Sequence, residues 1–393
     1  MAIFLNHLGL VCSLGLGQVG VREALFRADA PQGMTHTEAF SPGRMLQLGE
    51  VTAPLPDSSA WPLWHRSRNN ALLAAALQEI RPAVDAAIAR VGPARVAIVL
   101  GGSTSGVREG EAAVRTRRST GQWPAGYDYR QQELASASAF LAWLLGTAGP
   151  AHVISTACSS GAKSLASGAR LLQAGLADVV IAGGVDTLCR FTLAGFTALE
   201  SVSATRCNPL SVNRDGINLG EGAALFVMSR ENGPVRLAGW GETSDAHHIS
   251  GPDPTARGAI DAMNLALTRA RVAASEVDYV NLHGTATPQN DAMESRAIVQ
   301  ALGAQVPVSS TKPLTGHALG AAGAIEAGFG WLALVDNPTG LLPPHWWDGQ
   351  ADPELPELHV ASPGERLGRP LRHVLSNSFA FGGSNASLLL AQG

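Results

Sequence analysis

The sequence predicts an α/β protein of two similar strand–helix halves, on three observations. Short β-branched runs alternate with small-residue helical stretches, the pattern of parallel strands joined by helical crossovers. At 393 residues the chain exceeds one small core and suits two domains or two halves of one large unit. Two corners match as well: Ile154-Ser155-Thr156 precedes one Gly/Ala helix and Ser309-Ser310-Thr311 precedes another, which brings the strand ends of both halves to one site.

Taken in order, residues 3–12 read as a first strand, and the glycines of Leu14-Gly15-Leu16-Gly17-Gln18 turn it toward a helix over 21–27. Residues 29–62 gather Pro, Gly and Ser and read as an irregular surface excursion. A helix over 67–89 and a strand over 95–100 follow, ended by the glycine loop 101–106, which is not a P-loop because no GK[ST] follows. Next come a helix over 131–145, the run Val153-Ile154-Ser155-Thr156-Ala157-Cys158, and a nearly continuous apolar strand over 179–184 of the kind buried on both faces. The strand 223–228 closes the first half, and the turn signal Asn232-Gly233-Pro234 sets the boundary between 1–233 and 234–393. The second half repeats the grammar: strand 235–240, helix 259–270, strand 277–282, a helix from about 292, strand 306–311, a Gly/Ala helix and a final strand pair.

Composition narrows the classes. Hydrophobic residues make up 46% and charged ones 15%, so much surface is buried and oligomerisation is expected to bury more. A net charge of −4 gives no basic field for nucleic acid. The four cysteines, Cys12, Cys158, Cys189 and Cys207, have no CxxC or zinc-type spacing and read as reduced thiols of a cytoplasmic protein. The opening Met1-Ala2-Ile3-Phe4-Leu5-Asn6 has neither a basic n-region nor a long apolar core. The most membrane-like run, 318–335, is rich in Gly and Ala and interrupted by Glu326, which suits close helix packing better than lipid; no membrane span is expected. His247 and His248 are adjacent and belong to no HExxH or Cys/His set, so no metal is assigned.

Cys158 falls at a strand-to-helix turn, ahead of the helically spaced 163–172 with Gly175 as its stop. A helix N-terminus favours a thiolate by up to ~2 kcal/mol, which would make this cysteine a nucleophile near neutral pH. A buried cysteine is also a small core hydrophobe, and the stretch alone leaves both readings open.

The second half supplies partners. His283, in Asn281-Leu282-His283-Gly284-Thr285-Ala286-Thr287, ends an apolar strand where a base or donor can face a cleft. Thr311-Lys312-Pro313-Leu314-Thr315-Gly316-His317 places a lysine and a second histidine just before the helix bearing Glu326. The chain has 26 arginines and two lysines, Lys163 and Lys312, so a retained lysine points to a need for a compact ammonium. For Lys312 that need is functional; Lys163, five residues past Cys158, reads equally as a solvated or carrier-facing charge. In Ser376-Asn377-Ser378-Phe379-Ala380-Phe381-Gly382-Gly383-Ser384-Asn385 the glycines allow a backbone N–H to approach a thioester oxygen, or simply make a tight hairpin.

Together TACSSG, HGTAT, KPLTGH and FAFGGSN, in that order, resemble the elongating β-ketoacyl-acyl-carrier-protein synthases of the thiolase superfamily, over nearly the whole chain. The resemblance implies a five-layered α-β-α-β-α thiolase-like fold, usually dimeric. It implies a decarboxylative Claisen condensation in which Cys158 takes the acyl chain and the amides of Cys158 and Phe381 form an oxyanion hole. His283 and His317 would assist malonyl decarboxylation and stabilise the enolate, with Lys312 tuning them and Glu326 supporting Lys312. Phe381 would gate the acyl pocket together with its neighbours Phe379 and Gly382, and Thr285 and Thr287 would hold the phosphopantetheine arm of the acyl carrier protein, with no other cofactor.

Two histidines rather than a histidine and an asparagine point to the elongating branch, and the thiolase branch would want a later second cysteine than Cys207. The chain departs from typical fatty-acid enzymes in a shorter 205–216 segment and in Ala380 at a position where glycine is common, both of which bear on substrate choice. Segments 245–250 and 290–295 look more like the synthases of aryl-polyene clusters. Carrier proteins are acidic, so a local basic rim is expected, with Arg66, Arg68, Arg206 and Arg214 as candidates. The implied assembly is a homodimer or a heterodimer with a chain-length-factor-like subunit. The rival readings are a non-catalytic subunit of that kind, against which Cys158 argues, and a cysteine hydrolase, which leaves Lys312 and one histidine without a task.

Overall fold

The computed structural model describes residues 2–393. The chain runs β1 (Phe4–Cys12), β2 (Gly15–Leu16), α1 (Gly17–Leu25), β3 (Thr35–Thr37), β4 (Leu46–Leu48), α2 (Arg68–Val91), β5 (Val96–Gly101), α3 (Val107–Thr120), α4 (Ser136–Leu145), β6 (Ala151–Ile154), α5 (Ser160–Gln173), β7 (Val179–Asp186), α6 (Arg190–Ala198) and β8 (Gly222–Ser229). It continues through β9 (Val235–Ser244), α7 (Arg257–Ala270), β10 (Tyr279–Asn281), α8 (Pro288–Leu302), β11 (Val308–Ser309), α9 (Lys312–Thr315), α10 (Ala322–Leu334), β12 (His373–Ala380) and β13 (Ser384–Gln392).

The main sheet has the order β11-β10-β12-β13-β9-β1-β8-β7-β5-β6. Its middle is a weak seam: β9 meets β1 through two residue pairs only, Phe4 with Arg236 and Leu5 with Val235. The sheet therefore behaves as two wings of five strands. Each wing carries three parallel strands, β5, β6 and β7 in one and β10, β11 and β12 in the other, beside an antiparallel pair.

Apolar burial decides the layering. The Ala- and Leu-rich face of α2 and the buried side of α4 cover the outer face of the first wing. Met263, Ala266 and Leu267 of α7 and Met293, Ala297 and Ile298 of α8 cover the other. Between the wings lie α5 and α10, whose small residues let them pack back to back, and α10 is buried along its whole length. The result is the five-layered α-β-α-β-α arrangement that the sequence led us to expect. Among the described residues no helix is long and apolar enough to cross a membrane.

Several elements differ from the sequence reading. The helix predicted over 131–145 begins only at Ser136, because Ser105 Oγ binds the carbonyls of Gln131 and Glu133 (3.2 and 2.8 Å) and holds that stretch out of the helix. Helices α3 and α6 had no apolar stripe to reveal them, since α3 buries only Gly110 and Ala113 and α6 only Leu193. The helix expected over 67–89 forms with Ser67 as its N-cap, accepting from the Asn70 amide at 3.1 Å.

Candidate active site

Strand β6 leads into a sharp elbow. Ala157 adopts φ 53°, a left-handed conformation that costs a non-glycine residue about 1–3 kcal/mol and concentrates at functional sites. The Ser160 hydroxyl braces the elbow, accepting from the Thr156 amide (2.8 Å) and donating to the Ala157 carbonyl (2.6 Å). Glycines let the backbones close in. A Cβ on Gly101 would stand 2.3 Å from the Ser160 carbonyl carbon, and one on Gly161 would stand 2.7 Å from the Ala324 amide nitrogen. The nucleophile is thereby pressed between β5 and α10, with Cys158 only 6% exposed.

The other wing delivers the histidines. His283 lies two residues past β10, where the buried carboxylate of Glu294 on α8 accepts the amides of His283 (2.8 Å) and Gly284 (2.7 Å). His317 follows α9 and is pinned by its amide to the Asn218 carbonyl at 2.7 Å. Its Nε2 stands 2.9 Å from Cys158 Sγ, and its ring meets that of His283 edge-on, 5.3 Å between centroids. Behind them Lys312 Nζ pairs with Glu326 Oε1 at 2.5 Å, both side chains almost wholly buried. The backbone amides of Cys158 and Phe381 both favour the anion of this sulfur.

The electrostatics correct one sequence expectation. Burial pushes the Cys158 thiol up to about 12, against the opposing charge of Lys312 and the Phe381 amide. The helix N-terminus favours the anion by at most ~2 kcal/mol, and full removal from water outweighs it. Burial first, and the Lys312 charge second, hold both His283 and His317 well below the usual imidazole range. The resting centre is therefore a neutral thiol beside neutral imidazoles. Alkylation of Cys158 by iodoacetamide is expected to quicken about tenfold per pH unit from 6 to 9 without levelling. A plateau near pH 7 would restore the thiolate reading.

Cys158, His283, His317, Thr285, Thr287, Phe379 and Phe381 all line one cavity of about 350 Å³. The hydroxyls of Thr285 and Thr287 are 3.0 Å apart, and Phe381, 37% exposed, packs on Phe196 with ring centroids 5.6 Å apart. Gly382 takes φ 78° at the tip of the β12–β13 turn. Lys312 and Glu326 do not line the cavity and act from behind it. The donor atoms of Cys158, His283 and His317 lie within 4.8 Å of one another, a spacing zinc can bridge, but the Lys312 charge that acts on all three opposes a cation.

The four candidate rim arginines are all engaged within the chain. Arg68 is tied to buried Glu221 and Arg214 to Asp352, each at 2.5 Å. Arg206 donates to the carbonyls of Gln32 and Pro313. Only Arg66 of the four is exposed, and its Nε is held on the Trp61 carbonyl at 2.7 Å. Sequence reasoning also missed Glu294 and Asp291, the latter accepting the amides of Leu210 (2.9 Å) and Ala286 (3.2 Å). These two acids, three apart, share one side of α8, and both are buried.

Comparison with known proteins places this geometry. Residues 71–233 match the β-ketoacyl synthase N-terminal domain and 235–345 the β-ketoacyl synthase C-terminal domain. The ketosynthase ApeO of Xenorhabdus doucetiae, solved in complex with its chain length factor ApeC, is 44% identical with a TM-score of 0.93, over 100% of this chain and 98% of that one. The chain belongs to the β-ketoacyl synthase family. The ishigamide ketosynthase/chain length factor structure superposes with a TM-score of 0.86 at 28% identity, over 100% of this chain and 99% of that one. The 3-oxoacyl-[acyl-carrier-protein] synthase 2 of Rhizobium meliloti is 39% identical over 261 residues, 62% of this chain, and the mitochondrial synthase of Arabidopsis thaliana is 37% identical over 279, 65% of this chain. These two alignments span 61% and 59% of the relatives' own lengths.

Proposed function

We propose that this β-ketoacyl synthase catalyses decarboxylative condensation of an enzyme-bound acyl thioester with malonyl-acyl carrier protein. The observation that carries the reading is the Cys158 sulfur 2.9 Å from His317 Nε2, with His283 edge-on to that ring, in one cavity.

The chemistry follows from the neutral resting state. As Cys158 Sγ attacks the acyl thioester, His317 Nε2 takes the thiol proton and passes it to the departing phosphopantetheine sulfur. The carbonyl oxygen gains charge in front of the Cys158 and Phe381 amides. Once acylated, the sulfur no longer offers Nε2 a proton, and the neutral ring, shifting its single proton from Nδ1 to Nε2, presents an N–H to the incoming malonyl group. The malonyl carbon–carboxylate bond then breaks, releasing CO₂, and the electron pair moves onto the thioester oxygen between the N–H donors of His283 and His317. The enolate carbon attacks the Cys158 thioester carbonyl, and collapse releases β-ketoacyl-carrier protein and the sulfur as a thiolate, which takes one proton from solvent to restore the resting thiol. Thr285 and Thr287 hydrogen-bond the phosphopantetheine arm, the one prosthetic group the reaction uses, and Phe381, with Phe379 and Gly382, gates the acyl pocket.

The finer assignments rest on the same reading. The enzyme works in the cytoplasm, as two halves joined near 233/234, in fatty-acid-like or aryl-polyene synthesis. Its dimer partner is a chain-length-factor-like subunit rather than a second copy, a choice supported by the likeness to a ketosynthase solved with such a factor.

Intact-mass analysis of wild type and Cys158→Ala, given acyl-carrier and then malonyl-carrier protein, tests this. We expect an acyl adduct that requires Cys158 and is consumed into a longer β-ketoacyl-carrier product. No adduct with any acyl carrier, alone or with a partner subunit, would leave the non-catalytic subunit as the better description.

A further inference from the structure

The oxyanion hole is shared between wings. The Cys158 amide belongs to the elbow after β6, whereas the Phe381 amide belongs to the β12–β13 turn of the opposite wing. Two donors on separate bodies need a tie that fixes their spacing, since misplacement by about 1 Å can cost on the order of 100-fold in rate.

Lys163 supplies that tie. It lies on α5, half-buried, and its Nζ donates to Ser384 Oγ at 2.6 Å. Ser384 opens β13 and pairs with Ala380 across the turn, so whatever holds it holds the base of the loop bearing Phe381. Ser159 Oγ, beside the nucleophile, reaches the same Ser384 hydroxyl at 3.1 Å and is itself anchored on the Thr156 carbonyl at 2.9 Å. The turn's other holdfasts, Gly382 N to Ile249 O and Asp245 N to Gly383 O, both 2.8 Å, come from the loop after β9 in its own wing. They cannot set its distance from Cys158.

A single hydroxyl oxygen suits a compact ammonium and not a planar fork, which accounts for one of only two lysines in a chain of 26 arginines. Glu242 supports the charge while Arg170 opposes it, and burial, the largest influence, lowers the lysine's affinity for its proton.

We propose that Lys163 is a positioning residue that, through Ser384, sets the spacing of the Cys158 and Phe381 amides. The inference rests on the condensing reading. Steps that use the oxyanion hole should depend on it, and decarboxylation, which uses His283 and His317, should not.

The test is Lys163→Met and Ser384→Ala beside wild type. It reads single-turnover acyl transfer from acyl-carrier protein to Cys158, decarboxylation of malonyl-carrier to acetyl-carrier protein, and thermal melting. Each variant is expected to slow acyl transfer about 10- to 100-fold with KM for the acyl carrier unchanged and decarboxylation within about twofold of wild type. The double variant should lose little more than Ser384→Ala alone, because that change already removes the oxygen on which both Lys163 and Ser159 converge. Acyl transfer at the wild-type rate in both variants, or decarboxylation falling in step with it, overturns the proposal. An inert wild type overturns the condensing reading, and this one with it; an active wild type separates the two.

Discussion

Replacing Lys312 with methionine is expected to cost about 3–5 kcal/mol of folding stability, as measured by denaturant unfolding, and to abolish most decarboxylation. The stability loss comes from Glu326. Burial already pushes its carboxyl above the usual range, and Lys312, at 2.5 Å, is what offsets that penalty. The catalytic loss has another origin. Lys312 helps hold His283 and His317 neutral and favours the Cys158 anion. Without it the imidazoles bind protons more readily and the thiol less readily gives one up, so surviving activity should need higher pH. Lys312→Met combined with Glu326→Leu separates the two effects: folding stability should largely return, and decarboxylation should not. A double variant that catalyses like wild type would remove the lysine from the chemistry.

His283→Ala is expected to lower malonyl decarboxylation about 10²- to 10³-fold, the scale for removing one preorganised oxyanion donor, while the acyl adduct on Cys158 forms normally. His317→Ala should impair both steps, because only His317 touches the sulfur. Equal losses in both partial reactions from both substitutions would mean that the histidines do not divide the work as the geometry divides them.

The nucleophile and its partners were legible because each lies in a short word whose residue types serve the chemistry: a thiol at a turn, one imidazole just past a strand and one just past a short helix, glycines at 382 and 383. What was illegible depended on distant packing. Whether Arg214 is paired or free is decided by Asp352, 138 positions away, and Arg68 by Glu221, 153 away. The protonation of Cys158 depends on the same kind of information, since its burial is produced by β5, α10 and the 381 turn closing over it. Helix α3, polar nearly all round, left no periodic trace, whereas the alternation of strands and small-residue helices announced the layers. Glu294 hid for the opposite reason to the arginines: an acid on a helix reads as solvated until the fold shows it satisfying two amides.

The narrow seam between the wings gives the active centre an unusual dependence. One wing holds the sulfur and the other the two histidines, so neither alone contains a complete centre. Turnover thus reports the packing of the two wings against each other and not the amount of secondary structure. A partly assembled chain, with full helix and sheet content but an open seam, would be chemically silent.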